Sequence, residues 1–286
     1  MASLKEIKGR IDSVKSTLKI TSAMKMVASA KLHKAQNAIG NMVPYESRLR
    51  EILGSLLGTV SAAGAYTDER EVGKVALVCF SSNSSLCGAF NSNAIREANR
   101  TIGEYRAAGT EITVYSVGRR MADAMRKAGY PSPADYAEIS ARPSYQAAAA
   151  LGEELLQGFL SGRYDRVEFI YNHFKSTASQ VVTRETYLPL SLEAGDGTAA
   201  VDEEKYIVEP GKQELLEELL PKVIRLKVYT VLLDTVAAEH AARTVAMQTA
   251  TDNGNELLQD LTLEYNKGRQ QKITNEILDI VSGSAV

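Results

Sequence analysis

The chain has 286 residues, a formal net charge of −2 and 24% charged residues, so its overall charge does not favour nucleic acid as a partner. The hydrophobic share of 44% is enough for a sizeable core. Two cysteines, Cys79 and Cys87, are too few for a disulfide scaffold and do not form a CxxC pair, which favours a reduced compartment. No stretch approaches the ~20 consecutive apolar residues that span a bilayer.

Residues 3–57 are predicted to form a long amphipathic helix. Apolar or small side chains recur at heptad spacing at Leu4, Ile7, Ile11, Val14, Leu18 and Thr21. Pro44 lacks a backbone donor, so we expect the helix to kink or break near Val43.

The same helix is basic: before residue 40 its acids are Glu6 and Asp12 alone, against Lys5, Lys8, Arg10, Lys15, Lys19, Lys25, Lys31 and Lys34. Such a charge pattern is compatible with DNA, an anionic membrane, an acidic protein partner or a solvated face. Aromatic stacking residues are absent from it, which disfavours single-stranded nucleic acid.

The middle of the chain predicts an α/β domain over residues 74–190, after a linker at 58–73. Val75 to Phe80 is a continuous apolar run, typical of a strand that is covered on both faces. Further strands are predicted at 111–117, 165–174 and 180–188, with helices at 91–108, 118–128 and 144–160. This order predicts a mostly parallel sheet, followed by an acidic loop at 193–204.

The loop after the first strand is where an α/β domain of this order would bind a nucleotide. It reads SSNSSLCGAFN, with one glycine and no phosphate-loop or dinucleotide fingerprint, although serine hydroxyls at a helix start are able to hold phosphate. Cys87 has no histidine nearby in the sequence, and the three histidines are isolated. We therefore expect no catalytic residues, no cofactor and no metal site.

Residues 210–286 predict a second long helix, running to about Val281. About 70 helical residues extend on the order of 100 Å, more than a compact domain of this size can cover. Its first part has a seam of Leu219, Val223, Leu226, Thr230, Leu233 and Ala237. Since the N-terminal helix has a matching stripe, we expect the two to pair as an antiparallel coiled coil.

From Ala241 onward the predicted seam is thin. Its members are small or polar: Ala246, Thr249, Ala250, Thr251, Asn255, Asn266 and Gln270. A solvated helix would carry more charge and a core helix more leucine, so this part is expected to be a slim helix that other protein surrounds.

The amino-acid sequence at both ends resembles that of the gamma subunits of bacterial F-type ATP synthases. The matching segments are LKEIKGRIDSVKSTLKITSAMKMVASAK at the start and AARTVAMQTATDNG, YNKGRQ and ITNEILDIVSG at the end. The resemblance implies a fold of a long antiparallel two-helix coiled coil, formed by 1–57 and 210–286, plus a Rossmann-like α/β domain.

The resemblance also implies a function: a central rotor shaft that couples proton flow through a membrane ring to ATP synthesis in other subunits. The implied partners are the alpha and beta subunits, the epsilon subunit and the c-ring. The implied location is the cytoplasmic side of the inner membrane, peripheral and held through protein contacts, with no enzymatic activity in the chain itself.

The family positions that meet the partner subunits are matched by polar residues near the C-terminus and one methionine on the first helix. They are Met24, Arg243, Arg269, Gln270, Thr274 and Glu276. Two other classes stay open from the residues alone: an enzyme that uses the α/β domain, and a coiled-coil scaffold or nucleic-acid-bridging protein without enzymatic activity.

Overall fold

A computed structural model of the chain describes residues 3–57, 64–190, 209 and 211–283. It divides into two units: unit 1 contains the chain up to Ser29 and from Arg243 onward, and unit 2 contains Ala30–Ala242. The order of elements is α1 Leu4–Leu57, α2 Gly64–Thr67, β1 Lys74–Phe80, α3 Phe90–Ala107, β2 Glu111–Val117, α4 Arg119–Lys127, α5 Ala137–Ala141, α6 Tyr145–Leu160, β3 Arg166–Ser176, β4 Ser179–Leu188 and α7 Lys212–Gly283.

Helix α1 begins with a reciprocal cap that its sequence specifies. The backbone amide of Glu6 donates to Ser3 Oγ, and the amide of Ser3 donates to the Glu6 carboxylate. The break expected near Val43 is not observed, because α1 continues through Pro44. Buried Leu49 and Leu53 beyond the proline anchor the helix by packing, which outweighs the lost hydrogen bond.

In unit 2 the sheet has the order β2-β1-β3-β4, with β1 parallel to both β2 and β3. Strand β4 pairs antiparallel with β3. The predicted four strands and their mostly parallel arrangement are therefore confirmed. Two short helices, α2 and α5, were not predicted.

Strand β1 is buried on both faces, as its apolar run predicts. Val75, Leu77 and Cys79 pack with residues of α3 and α4 on one face. Val78 and Phe80 pack on the other face with residues of α6 and of α7. Unit 2 thus has three layers, and α7 supplies part of one of them.

Because α7 packs on the sheet, its first half is buried more widely than a coiled-coil seam requires. Leu226, Leu233 and Ala237 of the predicted seam are buried, but so are Ile224 and Val228 on another side of the helix. Ala237 packs with Leu32 and Ala35 of α1, whereas Ile224 and Val228 belong to the core beneath the sheet.

Candidate partner-contact surface

Unit 1 is a pair of antiparallel helical segments from α1 and α7. Ile7 and Ile11 of α1 form a buried cluster with Leu261 of α7. Val14, Leu258 and Tyr265 pack against this cluster. All six predicted seam positions from Leu4 to Thr21 are buried or half-buried, so the heptad pattern and the antiparallel pairing are confirmed.

Toward residue 29 the contact between the two segments becomes polar. The hydroxyls of Thr21 and Thr251 share a hydrogen bond of 2.9 Å. Lys25 Nζ donates to Gln248 Oε1 at 2.5 Å. In these two bonds a residue later on α1 meets a residue earlier on α7, as antiparallel pairing requires. The residues that they join define the register of the pair.

Glycines let the two segments approach closely. Gly254 faces Leu18, and a Cβ at Gly254 would lie 2.7 Å from Leu18 Cδ2. Gly268 faces Leu4, and a Cβ there would lie 3.1 Å from Leu4 Cδ2. The prediction that Leu4 lies beside the distal half of the C-terminal helix is therefore confirmed.

The residues expected in the thin part of the seam mostly lie on its outside. Thr251 is in the contact, but Thr249, Ala250, Asn255, Asn266 and Gln270 are exposed. The inward positions follow a heptad of their own: Met247, Thr251, Gly254, Leu258, Leu261, Tyr265 and Gly268. The outer surface of α7 here therefore mixes small, polar and charged side chains with two exposed leucines, Leu257 and Leu263.

Beyond Gly268 the last turns of α7 form a segment that we call the tail, residues 269–282. Every side chain of the tail is exposed. Among them are large apolar residues with roughly half or more of their surface open: Ile273, Ile277, Leu278, Ile280 and Val281. An apolar surface of this kind marks a contact with another molecule.

Four of the predicted contact residues lie in the tail. Arg269 and Glu276 are seven residues apart and share one side of the helix, whereas Gln270 and Thr274 are four apart and share another. Thr274 Oγ1 donates to the carbonyl of Gln270 at 2.9 Å. Glu276 lies 3.6 Å from Lys272 across one turn. The four side chains therefore project from the same two turns.

The other two predicted residues lie at the opposite end of unit 1. Met24 is half-buried on α1, beside the Lys25–Gln248 bond. Arg243 begins the α7 segment and is only 8% exposed. At 1.5 Å per residue, Arg243 and Arg269 are separated by roughly 40 Å along the helix, so the six residues form two groups.

Exposed apolar residues on α1 were not singled out from the sequence. Ile20, Met26 and Val27 expose 60%, 63% and 56% of their surface. The sequence could have predicted their exposure, because each of them lies outside the heptad positions of the same segment. They add apolar surface to the Met24 end of unit 1.

In unit 2, the loop that follows β1 is held in place by hydrogen bonds to the first turn of α4. Ser81 Oγ accepts from the amide of Met121 at 2.9 Å, and Asn83 Oδ1 accepts from the amide of Arg119 at 2.8 Å. The first turn of α4 is thereby capped by this loop. Gly118, at φ 114°, comes so close that a Cβ would lie 2.2 Å from the Ser81 carbonyl oxygen.

Other side chains of that loop also form hydrogen bonds within the fold. Ser82 is fully buried, its amide donates to Asn91 Oδ1, and its hydroxyl donates to the carbonyl of Ser84. Cys87 is buried and accepts a hydrogen bond from Asn91 Nδ2 at 3.2 Å. These contacts make the serines and Cys87 part of the local structure and give no support to a phosphate cradle there.

Within residues 3–57, 64–190, 209 and 211–283, no three His, Cys, Asp or Glu side chains are grouped so as to hold a metal ion. Within them, too, no helix has the length and hydropathy needed to cross a membrane.

Comparison with solved structures supports the fold. The chain is similar to a chain of the mitochondrial ATP synthase of Euglena gracilis, with a TM-score of 0.67 and 23% identity over 99% of this chain and 93% of that one. It is also similar to a chain of the central stalk and c-ring structure from Tetrahymena thermophila, with a TM-score of 0.57 over 81% of this chain and 99% of that one.

Comparison of sequences is more specific. The ATP synthase family model matches residues 3–286. The ATP synthase gamma chain of Phocaeicola vulgatus is 56% identical, and that of Bacteroides thetaiotaomicron 52% identical, each over 99% of both chains. With a match that spans the whole length and relatives that share more than half of its residues, the chain belongs to the family of ATP synthase gamma chains.

Proposed function

We propose that this chain is the central rotor shaft of an F-type ATP synthase and that it contributes no catalytic residues of its own. The observation that carries the proposal is unit 1: a slim helical pair that ends in a tail with every side chain exposed. A tail with that much open apolar surface needs a partner that encloses it.

The work of such a shaft is mechanical. An antiparallel helical pair resists bending better than one helix, because each segment buries its stripe against the other. Rotation inside a partner also requires that no contact on the outer surface be permanent and strong. Exposed Thr249, Ala250 and Asn255 of α7 favour this, since they offer little charge or bulk for a lasting bond, although the same stretch also exposes Asp252 and Glu256.

Rotation must also favour particular angles, and that requires a few directional groups. Arg269, Gln270, Thr274 and Glu276 supply a cation, an amide, a hydroxyl and a carboxylate on two turns of the tail. Since the pairs occupy two sides of the helix, partner loops around the tail meet different chemistry at different angles. Met24 and Arg243 are the proposed contacts at the other end of unit 1.

The partners follow from the family. The alpha and beta subunits surround unit 1 and hold the nucleotide sites, and the epsilon subunit and the c-ring attach to the α/β part. The chain is then peripheral to the cell inner membrane on its cytoplasmic side, held through the c-ring. Proton flow turns the ring and the shaft, and the asymmetric shaft takes each beta subunit through its binding states in turn.

Met24→Lys tests the contact at the first end of unit 1. Lysine is a good helix former, so assembly is expected to be normal. If its ammonium pairs with a partner carboxylate at one rotary angle, a pair worth about 2 kcal/mol slows that step roughly thirtyfold. The measurement is ATP hydrolysis and proton pumping by the reconstituted complex, with Val181→Lys as the control on the exposed surface of unit 2.

Each alternative result has a meaning. Normal pumping per ATP in an assembled Met24→Lys complex means that Met24 does not face the partner. Loss of assembly places Met24 in the helix–helix contact instead. ATP hydrolysis by the purified chain on its own contradicts the non-catalytic role.

A further inference from the structure

A cavity of about 540 Å³ lies within unit 2. Its walls include Lys31 and Lys34 of α1, Arg142 directly after α5, and Tyr229 and Leu233 of α7. We call it the basic cavity. Its volume falls in the range of roughly 300–1,000 Å³ that is typical of sites for small molecules.

Positive charge dominates the basic cavity. Lys31, Lys34 and Arg142 are exposed, and in the part of the chain that the structure describes none of the three forms an ion pair. The carboxylate on the wall, Glu239, is only 8% exposed and already has an interaction of its own. Three cations against one carboxylate leave an excess of positive charge, in a chain whose net charge is −2. An anion in the cavity would relieve the repulsion among them.

The cations approach the cavity from two separate elements. Lys31 and Lys34 are three residues apart and so share a face of α1. Arg142 comes from the α5 side, and its amide donates to the Glu138 carbonyl at 2.9 Å. Arginine offers a planar fork of donors that matches phosphate oxygens, and lysine adds a point charge.

The polar part of the wall is held in place before any ligand arrives. Asn83 Nδ2 donates to the Ala137 carbonyl at 2.8 Å, and Asn83 Oδ1 accepts from Arg119. Ser140 Oγ donates to the Ser81 carbonyl at 3.0 Å. A wall that is already formed avoids part of the ordering cost of binding.

We propose that the basic cavity binds a small phosphate-bearing anion. Arg142, Lys31 and Lys34 take the phosphate oxygens, and Tyr229 and Leu233 contact any apolar group that the phosphate carries. This ligand goes beyond the shaft role, which needs no small-molecule site in the chain.

The test is calorimetric titration of the full-length chain, in phosphate-free buffer, with pyrophosphate and with phenyl phosphate. Both are expected to bind saturably. Arg142→Gln and the double variant Lys31→Gln, Lys34→Gln are each expected to weaken pyrophosphate binding at least about fivefold, which is about 1 kcal/mol. Lys175→Gln is the matched control, because Lys175 is an exposed cation of unit 2 outside the cavity. Circular dichroism of every variant checks folding.

The two ligands separate the two walls. Tyr229→Ala is expected to weaken phenyl phosphate and leave pyrophosphate unchanged. The proposal is overturned if neither compound binds, or if the cavity variants and Lys175→Gln bind equally well. It is also overturned if a poly-glutamate peptide binds at Lys31, Lys34 and Arg142 while pyrophosphate does not, because the cavity is then a protein-docking surface.

Discussion

Glu168 is a buried carboxylate, 3% exposed, in the middle of the sheet of unit 2. Its two oxygens accept from Arg184 Nε at 2.7 Å and from the Tyr105 hydroxyl at 2.7 Å. Arg184 also donates to Glu104 at 2.6 Å. These hydrogen bonds join β3, β4 and α3. They stabilise the Glu168 carboxylate, which is buried away from water.

Arg184→Leu is expected to cost about 2–3 kcal/mol of unfolding free energy, because the Glu168 carboxylate stays buried without its cation. Arg126→Leu is the control: Arg126 pairs with Asp123 on the surface, and its loss is expected to cost less than ~1 kcal/mol. Urea unfolding of both variants measures the difference. Equal costs would mean that the buried pair contributes no more than a surface one.

Cys79 is expected to reduce the free energy of unfolding at alkaline pH. Burial, and secondarily the nearby Glu168 charge, raises the pKa of the Cys79 thiol from 9.0 to about 12. Above pH 9 the unfolded chain releases this proton and the folded chain keeps it, so stability falls as pH rises from about 9 toward 12. The contribution to the slope is about −1.4 kcal/mol per pH unit.

Urea unfolding at pH 8, 9, 10 and 10.5 tests this slope, with Cys79→Ala as the comparison. The variant is less stable at pH 8 because of the cavity that it leaves, but its stability is expected to fall less steeply with pH. Identical slopes in both proteins would assign the alkaline loss to other groups. A thiol reagent at pH 8 is expected to modify Cys79 only after unfolding.

At the scale of elements, α1 and the four strands were predictable because each shows a single pattern, such as the heptad of α1 or the continuous apolar run of β1. The first half of α7 was not, because two patterns overlap in it. A seam toward α1 and a stripe toward the sheet, at Ile224, Val228 and Val231, together make the segment apolar on most sides. Each pattern can be recognised in the sequence, but the sequence does not show that the helix packs on α1 and on the sheet at the same time.

The candidate sites differ in the same way. The polar residues of the tail were identified by the family resemblance, whereas Ile273, Ile277 and Ile280 have a helical spacing that marks an apolar stripe. The basic cavity had no local signal. Lys31, Arg142 and Tyr229 are far apart in sequence, and only the fold brings them to one cavity.

Glycine substitutions test the contact between α1 and α7 in unit 1. Gly254→Leu is expected to separate the segments, because a Cβ alone would already lie 2.7 Å from Leu18. Gly9→Ala is the control on α1: a Cβ at Gly9 meets nothing within 4 Å, so the change is expected to stabilise the helix by about 0.5–1 kcal/mol. Hydrogen exchange of the α1 amides up to Ser29 reports both effects. Unchanged protection in Gly254→Leu would contradict the close approach.

At the scale of the whole molecule, the chain uses its two ends twice. Each of α1 and α7 contributes one segment to unit 1 and one to unit 2. The α/β part therefore does not contain the whole of its core: Ile224, Val228, Val231 and Leu232 of α7 lie within the cluster beneath the sheet. Tyr187 reinforces this by donating its buried hydroxyl to the Ile224 carbonyl at 2.8 Å.

A fragment of residues 64–190 is consequently expected not to fold by itself. Burying each of the four α7 side chains contributes about 1.5–3 kcal/mol, so their loss removes roughly 6–12 kcal/mol. That is as large as the whole stability of an ordinary domain, about 5–15 kcal/mol. The fragment should bind a hydrophobic dye and lack a near-ultraviolet circular dichroism signal, whereas adding a peptide of residues 212–242 should restore the signal. The control is the same peptide with Val228→Asp, which places a carboxylate in the core and should fail to restore it. Cooperative unfolding of the fragment without any peptide would mean that the sheet is stable without its α7 layer.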